Sequence, residues 1–267
     1  MNREFKIGNK QIGLSTEPYI IAEVGINHNG NLNTALEMID VAKSSGADAV
    51  KFQTFKAEEF CGNPDQQFTY FSGGKKITES MLEMFKRMEL KIEDWTTIKE
   101  YAMKSEIEFF STPQNVSDLD LLLSLGVKVI KVGSDDLTNL PLITSYARSG
   151  LPLILSSGMA DIADIHRALK ASGWFKGNEV AMLVCTSQYP TPVPDVNILR
   201  VSTLRSAFPN LIVGFSDHTQ GNEAAVMATA LGAKIFEKHF TLSHELNGPD
   251  HWFSLDPDEL KWWVKSI

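Results

Sequence analysis

Cysteine is almost absent from this chain of 267 residues, which carries only Cys61 and Cys185. Two cysteines without metal-ligand spacing exclude a disulfide framework and a cysteine-rich metal site, so free thiols in a reducing cytoplasm are expected. Long apolar runs are missing too. No stretch approaches the roughly 18 apolar residues of a membrane span, and the opening MNREFKIGNK has no apolar segment behind its charges. Neither a membrane helix nor a signal peptide is expected. Positive charge is in deficit: 25 Lys and Arg face 33 Asp and Glu, a formal net charge of -8. That balance opposes general attraction to nucleic acid or anionic lipid, so an anionic ligand must find a local basic pocket. What is present is ordinary globular composition, with 43% hydrophobic and 22% charged residues, and this excludes disorder as the main state.

Phe5 and Ile7, then Ile12 and Leu14, alternate around Gly8, Asn9 and Lys10, which reads as an N-terminal β-hairpin over residues 1–15. Beyond it, apolar strand candidates lie near 19–24, 48–53, 107–112, 128–133, 152–156, 180–185, 211–216 and 234–239, with helical patterns between most of them. The helix at 32–45 shows the pattern, since Leu32, Ala35, Ile39 and Ala42 share a face and Gly46 follows as a stop. Eight strands alternating with helices point to a single α/β domain, a (β/α)8 TIM barrel spanning 1–267. Residues 55–92 interrupt the rhythm as a long loop or lid after the second of these strands. Within that segment Met81, Phe85 and Met88 stand at helical spacing, which favours a packed helix over a mobile lid.

An internal echo marks the barrel strands. GADAVK at 46–51, GVKVIK at 126–131 and GAKIFE at 232–237 each run from a helix-ending glycine to a charged residue five positions on. One such charge could simply open a solvated loop. Three of them place Lys51, Lys131 and Glu237 where barrel enzymes carry their sites, at the C-terminal ends of the strands. Other polar strand ends are Glu23, Asn27, His28, Gln53, Ser111, Thr112, Ser134, Ser156, Ser157, Thr186, Ser187, Gln188, Tyr189, Asp217, His218 and His239. Hydroxyls and two lysines suit a phosphate or carboxylate, and an unpaired ammonium inside an apolar strand would be costly. His218 and His239 end adjacent strands, about 4.8 Å apart in a sheet, so the two imidazoles could share one divalent ion with Glu23 as a further carboxylate. A hydrogen-bonded structural role is the alternative for each. His28, inside the turn-rich NHNGN, could cap the following helix, and His166 reads as surface.

The stretches IAEVGINHNGNLNTALEMIDVAKSSGADAVKFQTF, FFSTP, IKVGS, LSSGM, CTSQYPTP, GFSDHT, EKHFT and GPDH occur in the order and spacing of the sialic acid synthase family. That family comprises N-acetylneuraminate synthases with their legionaminic and pseudaminic acid relatives, and the likeness runs from about Tyr19 to Asp250. The resemblance implies a (β/α)8 enzyme that condenses phosphoenolpyruvate with the open-chain aldehyde of a 2-acetamido sugar, in a cytoplasmic homodimer. It implies a divalent metal, manganese foremost, with magnesium or cobalt as alternatives. His218 and His239 match the family's metal-binding histidines. Lys51, Thr112, Lys131, Ser134 and Ser156 match positions that hold phosphoenolpyruvate, and Glu23 matches the glutamate near the reacting carbons. Gln53, Tyr189 and Asp250 match residues around the sugar. Three departures stand out: Ser187 replaces an asparagine that many relatives place on the phosphate, Asp136 replaces a glutamate on the acceptor, and the chain stops at Ile267 without the family's small C-terminal antifreeze-like domain. Acceptor turnover by this chain alone is therefore expected to be poor.

Two other readings use the same residues. A Schiff-base aldolase would employ Lys131 on a pyruvate carbonyl but leaves both histidines without a task. A non-catalytic sugar-phosphate sensor would keep the pocket and need neither histidine.

Overall fold

Strand and helix alternate because short continuous apolar runs, buried on both faces, alternate with apolar stripes of period 3.6, and the computed structural model, which describes residues 4–267, follows that switch closely. The first two strands, β1 (Phe5–Ile7) and β2 (Lys10–Ile12), pair antiparallel as the expected hairpin, whose first three residues lie outside the described ones. Next come β3 (Tyr19–Gly25), β4 (Ala49–Thr54), β5 (Gln67–Ser72), β6 (Lys75–Ser80), β7 (Glu108–Pro113) and β8 (Ile130–Val132). The series ends with β9 (Leu153–Ser156), β10 (Val180–Val184), β11 (Ile212–Asp217) and β12 (Ile235–His239). Eight of these form one sheet in the order β7-β4-β3-β12-β11-β10-β9-β8, with helices on the connections, which is the (β/α)8 class expected from sequence. All eight expected strands are present.

Backbone contacts divide the chain into two compact units. One is built from the segment ending at Ile21 with Val127–Lys238 and Trp263–Ile267, the other from Ala22–Gly126 and His239–Trp262. In the second, Phe52, Trp95 and Phe109 make an aromatic centre, with Trp95 edge-on to Phe52 at 6.0 Å. The helix Leu32–Ser44 closes over it with Ala35, Met38, Ile39 and Ala42. Asn31 caps that helix by accepting the Thr34 N–H, so His28 is not its cap.

The segment 55–92 is ordered throughout rather than a plain loop. A short helix Ala57–Phe60 leads to the hairpin β5–β6, and the expected helix follows as Met81–Met88. The sequence reading missed the hairpin, because its strands are largely exposed. Its signal is Gly73-Gly74, two residues at positive φ of 54° and 72°, the conformation of a tight two-residue hairpin turn. Phe55, Phe60, Phe85 and Met88 then pin the Met81–Met88 helix onto Ile26.

In the first unit, strand parity separates two kinds of buried charge. Ser216 and Glu237 are register partners on β11 and β12, and so are Asp217 and Lys238 one step on. Side chains one step apart point to opposite faces. Asp217 therefore leaves the ring of strand ends in which the sequence places it. Its carboxylate pairs with Lys238 Nζ at 3.1 Å, accepts the Trp263 indole N–H at 3.0 Å, and accepts the Thr219 N–H and hydroxyl. Lys238 also donates to the Thr219 carbonyl. This buried pair seats the C-terminal helix Pro257–Ser266 through Trp263. Replacing Lys238 by Met leaves the carboxylate without its cation and should lower unfolding stability by about 3–5 kcal/mol. The double variant Asp217→Leu/Lys238→Met should recover part of that loss. Urea unfolding of the single and double variants checks it, and equal losses would contradict the pairing.

Candidate active site

The two units each assemble a cluster of the residues singled out from sequence. In the second unit the cluster is built on β3, β4 and β7. Lys51 on β4 holds Glu23 Oε2 of β3 at 2.8 Å and donates to Thr112 Oγ1 of β7 at 3.0 Å, all three buried. Burying an ammonium and a carboxylate is tolerable here because each satisfies the other within the same apolar surroundings. Gln53, two residues beyond Lys51 on the same face, is half-buried. At Gly25 the backbone turns through φ +55°, and a Cβ there would lie in van der Waals contact with the His239 ring at 3.4 Å and with Glu23 Oε1 at 3.5 Å. His239 and Glu23 thus flank one glycine. The other side of the His239 ring meets Phe253 edge-on at 5.7 Å.

Around this cluster two distant motifs lock together. Asn27 donates to the Phe240 carbonyl at 2.8 Å and to Ser254 Oγ at 3.0 Å, while Ser254 donates to the Asp250 carbonyl. His251 bridges Thr241 Oγ1 at 2.7 Å and Asn29 Oδ1 at 3.2 Å. Ser72, at the end of β5, accepts the Gly248 N–H at 3.1 Å, and Phe71 meets Trp252 edge-on at 5.7 Å. The hairpin inserted at 67–80 is thereby fixed to the GPDH loop that carries Asp250. His28 Nδ1 accepts the Gly30 N–H, and its ring lies on Phe52. Burial pushes His28 down to about 3, helped by His251, and pushes His251 down to about 4, helped by His244.

In the first unit Lys131 on β8 donates to the Val132 carbonyl at 3.0 Å and stands 3.9 Å from Glu237 Oε1. Ser216 donates to the same Glu237 oxygen at 3.3 Å, and its Oγ lies 3.4 Å from His218 Nε2. His218 Nδ1 lies 2.7 Å from the Thr186 carbonyl, which can only accept, so Nδ1 carries the proton and Nε2 faces Ser216. Tyr189, on the exposed loop after β10, lays its ring on His218 at 4.1 Å. Cys185, a buried free thiol, sits 3.7 Å from His218 Nδ1. Burial alone would lower His218 and raise Cys185, but their proximity reverses both, raising the imidazole and lowering the thiol.

The serines form a separate patch over Gly158. Its N–H donates to Ser134 Oγ at 2.9 Å, and an added Cβ would fall 2.3 Å from Ser187 Oγ and 2.7 Å from Ser134 Oγ. Ser156 Oγ, buried at the end of β9, has no hydrogen-bond partner among the described residues. Two hydroxyls over a bare glycine, with a third buried hydroxyl two residues before it, are groups that can donate to an anion's oxygens. Asp136, half-buried, accepts from Asn139 at 3.1 Å, and burial raises its carboxyl above the usual range.

Ser216 is the residue that the sequence reading overlooked. Its signal was available, because it lies two positions before His218, near the end of the strand that leads into it. His166, on the helix Ile162–Ala171, is exposed as expected. One trio of potential metal ligands among the described residues lies within reach of a common ion, His244, Asp256 and Glu259. Local structure explains it: Asp256 and Glu259 accept each other's N–H at the start of a helix, and His244 bonds the Ser254 carbonyl. No helix among the described residues is long and apolar enough to cross a membrane.

Two buried histidines below neutrality give a stability test. Both rings stay neutral in the folded state while the unfolded ones take up protons below about 6.5, so stability is full above that value and falls as pH drops toward 4. Between pH 7 and 5 each should remove on the order of 2 kcal/mol. Urea unfolding across that range should show the slope, and His28→Asn should flatten it; an unchanged slope in the variant would refute the assignment.

Comparison with known proteins places the chain in a family. The family model described as NeuB family matches residues 38–267. The N,N'-diacetyllegionaminic acid synthase of Legionella pneumophila is 42% identical over 264 residues, covering 97% of this chain and 74% of that protein. The solved structure of an N-acetylneuraminic acid (sialic acid) synthetase from Leptospira borgpetersenii superposes with a TM-score of 0.90 at 36% identity, covering 100% of this chain and 88% of that one. A truncated 3-deoxy-D-arabino-heptulosonate 7-phosphate synthase from Thermotoga maritima, at 16% identity and a TM-score of 0.71, shares the fold. With the family model matched over most of its length, the chain belongs to the NeuB family, as its motifs had indicated.

Proposed function

We propose that this chain is a synthase joining phosphoenolpyruvate to the open-chain aldehyde of a 2-acetamido sugar, yielding a nine-carbon 2-keto acid of the sialic acid type and phosphate. The observation that carries the reading, beside family membership, is the buried Glu23–Lys51–Thr112 cluster, a carboxylate and an ammonium 2.8 Å apart. Carbon 3 of phosphoenolpyruvate attacks the aldehyde carbon, and the new carbon–carbon bond leaves positive charge at carbon 2. The Glu23 carboxylate is suited to stabilise that charge and to orient the water that adds there. Loss of phosphate from the resulting tetrahedral carbon, with cleavage of its carbon–oxygen bond, gives the ketone. Lys51 and Lys131 offset the charge of the departing group, and Ser134, Ser156 and Ser187 supply hydroxyls to its oxygens.

His218 and His239 are the proposed holders of a divalent ion, manganese before magnesium or cobalt. The donor chemistry fits, because the Thr186 carbonyl engages His218 Nδ1, so that Nε2 is the nitrogen left to ligate once the ring has given up its second proton. When bound, such an ion supplies Lewis acidity toward the aldehyde oxygen. Tyr189, Gln53, Asp136 and Asp250 are the proposed partners of the sugar hydroxyls and amide. The same reading takes the chain as a cytoplasmic homodimer. Against a Schiff-base aldolase stands the charge pairing of Lys131 with Glu237, since a paired ammonium is a poor nucleophile.

Phosphate release from phosphoenolpyruvate should require both manganese and an acceptor such as N-acetylmannosamine or a diacetamido relative; a panel of acceptors and their 6-phosphates identifies the sugar. No release with any acceptor would favour the sensor reading. Lys51→Met and Lys131→Met should each raise the KM for phosphoenolpyruvate by about one to two decades and that for the sugar far less. A borohydride-trapped pyruvyl adduct on Lys131 would overturn this. His218→Ala and His239→Ala should abolish metal-dependent turnover with the fold intact, and full activity in exhaustive chelator would remove the metal from the scheme.

A further inference from the structure

Arg200 lies at the start of the helix Arg200–Ala207, and its guanidinium meets no carboxylate among the described residues. It is half-buried, and it spends its hydrogen bonds on neutral groups: Nη2 donates to Thr186 Oγ1 at 2.7 Å and to the Val196 carbonyl at 3.2 Å. A desolvated arginine bound only to a hydroxyl and a carbonyl is an expensive way to hold a loop, so what it holds is informative.

The Thr186 hydroxyl is fully committed. Its proton goes to the Asp195 carbonyl at 3.0 Å, and its lone pair receives Arg200. That fixes the side chain of Thr186, whose carbonyl accepts from His218 Nδ1 at 2.7 Å and from the Gln188 N–H at 2.8 Å. A second clamp runs between the same partners, because Thr191 N–H donates to the His218 carbonyl at 2.7 Å while Thr191 Oγ1 donates to the Gln188 carbonyl. The loop 186–191 therefore grips His218 by side chain and backbone together, and Arg200 braces that loop from the helix behind it.

We infer that Arg200 is a positioning residue: acting through Thr186, it sets the tautomer and ring orientation of His218, leaving Nε2 as the nitrogen that can ligate a metal. A neutral imidazole has one proton to place, and a carbonyl aimed at Nδ1 decides where it goes. Partners that orient a ligating histidine in this way typically contribute 10–100-fold to metal affinity. The inference rests on the proposed metal role of His218 only for its consequence; the tautomer itself is a property of the metal-free chain.

The test uses the full chain labelled with 15N-histidine, with three variants. Long-range proton–nitrogen spectra of the metal-free protein at alkaline pH, where the ring is neutral, should show His218 protonated at Nδ1. In Arg200→Met, and in the near-isosteric Thr186→Val, the ring should become a mixture of both tautomers, and Thr186→Ser should restore the single form. Manganese titration followed by electron paramagnetic resonance should show affinity 10–100-fold weaker in Arg200→Met and Thr186→Val than in the parent and Thr186→Ser. A folded Arg200→Met protein with an unchanged His218 tautomer would overturn the inference. Should that variant fail to fold, an unchanged tautomer in Thr186→Val overturns it equally. If the parent binds no manganese while the tautomer still follows Arg200 and Thr186, the positioning role stands and the metal reading of His218 falls.

Discussion

Much of this structure follows from the need to partner three ammonium groups buried within strands. Lys51, Lys131 and Lys238 are each nearly inaccessible, and none could remain charged there alone. Each has a carboxylate: Glu23 at 2.8 Å, Glu237 at 3.9 Å and Asp217 at 3.1 Å. The three pairs differ in how completely they are closed. Asp217 also takes an indole and two Thr219 donors, so that pair is saturated and structural. Lys131 and Glu237 stand farther apart, with Ser216 on the carboxylate and the Val132 carbonyl on the ammonium. Parity decides between these uses, since Glu237 and Lys238 are neighbours in sequence and face opposite sides of β12.

His218 shows how a loop converts a strand-end residue into a defined chemical group. A histidine on β11's trailing end could turn either nitrogen outward. The loop after β10 removes that freedom with a carbonyl at Nδ1, a Tyr189 ring against the imidazole face and a Thr191 N–H on its backbone. Loops supply such contacts because their unpaired backbone groups are free to point at side chains, while strand groups are committed to the sheet.

The inserted segment 55–92 has an analogous role in the other unit. Its helix is anchored by an aromatic cluster, and its hairpin reaches the GPDH loop through Ser72 and Phe71. Asp250 therefore sits in a loop braced from β3's NHNG turn, from Thr241 and from the hairpin, three pieces far apart in the chain. Bracing of that kind limits the motion of the loop and of the side chain it carries.

Local pattern was enough for the eight strands, the helix at 32–45, the helix within the insert and the (β/α)8 class, because hydrophobic period and helix-stopping glycines are properties of short stretches. The motifs were enough to nominate Glu23, Lys51, Thr112, Lys131, His218 and His239. Sequence could not pair them. That Lys51 meets Glu23 and Thr112, that Lys131 faces Glu237, and that Asp217 turns away toward Lys238 and Trp263 are decided by register between strands distant in the chain. The exposed hairpin escaped notice because its strands bury little. Arg200 escaped because a lone arginine on a helix reads as solvated surface. Only the tertiary structure brings its guanidinium to Thr186 and so to His218, since a hydrogen bond requires two groups within about 3 Å and chain order alone does not bring them there.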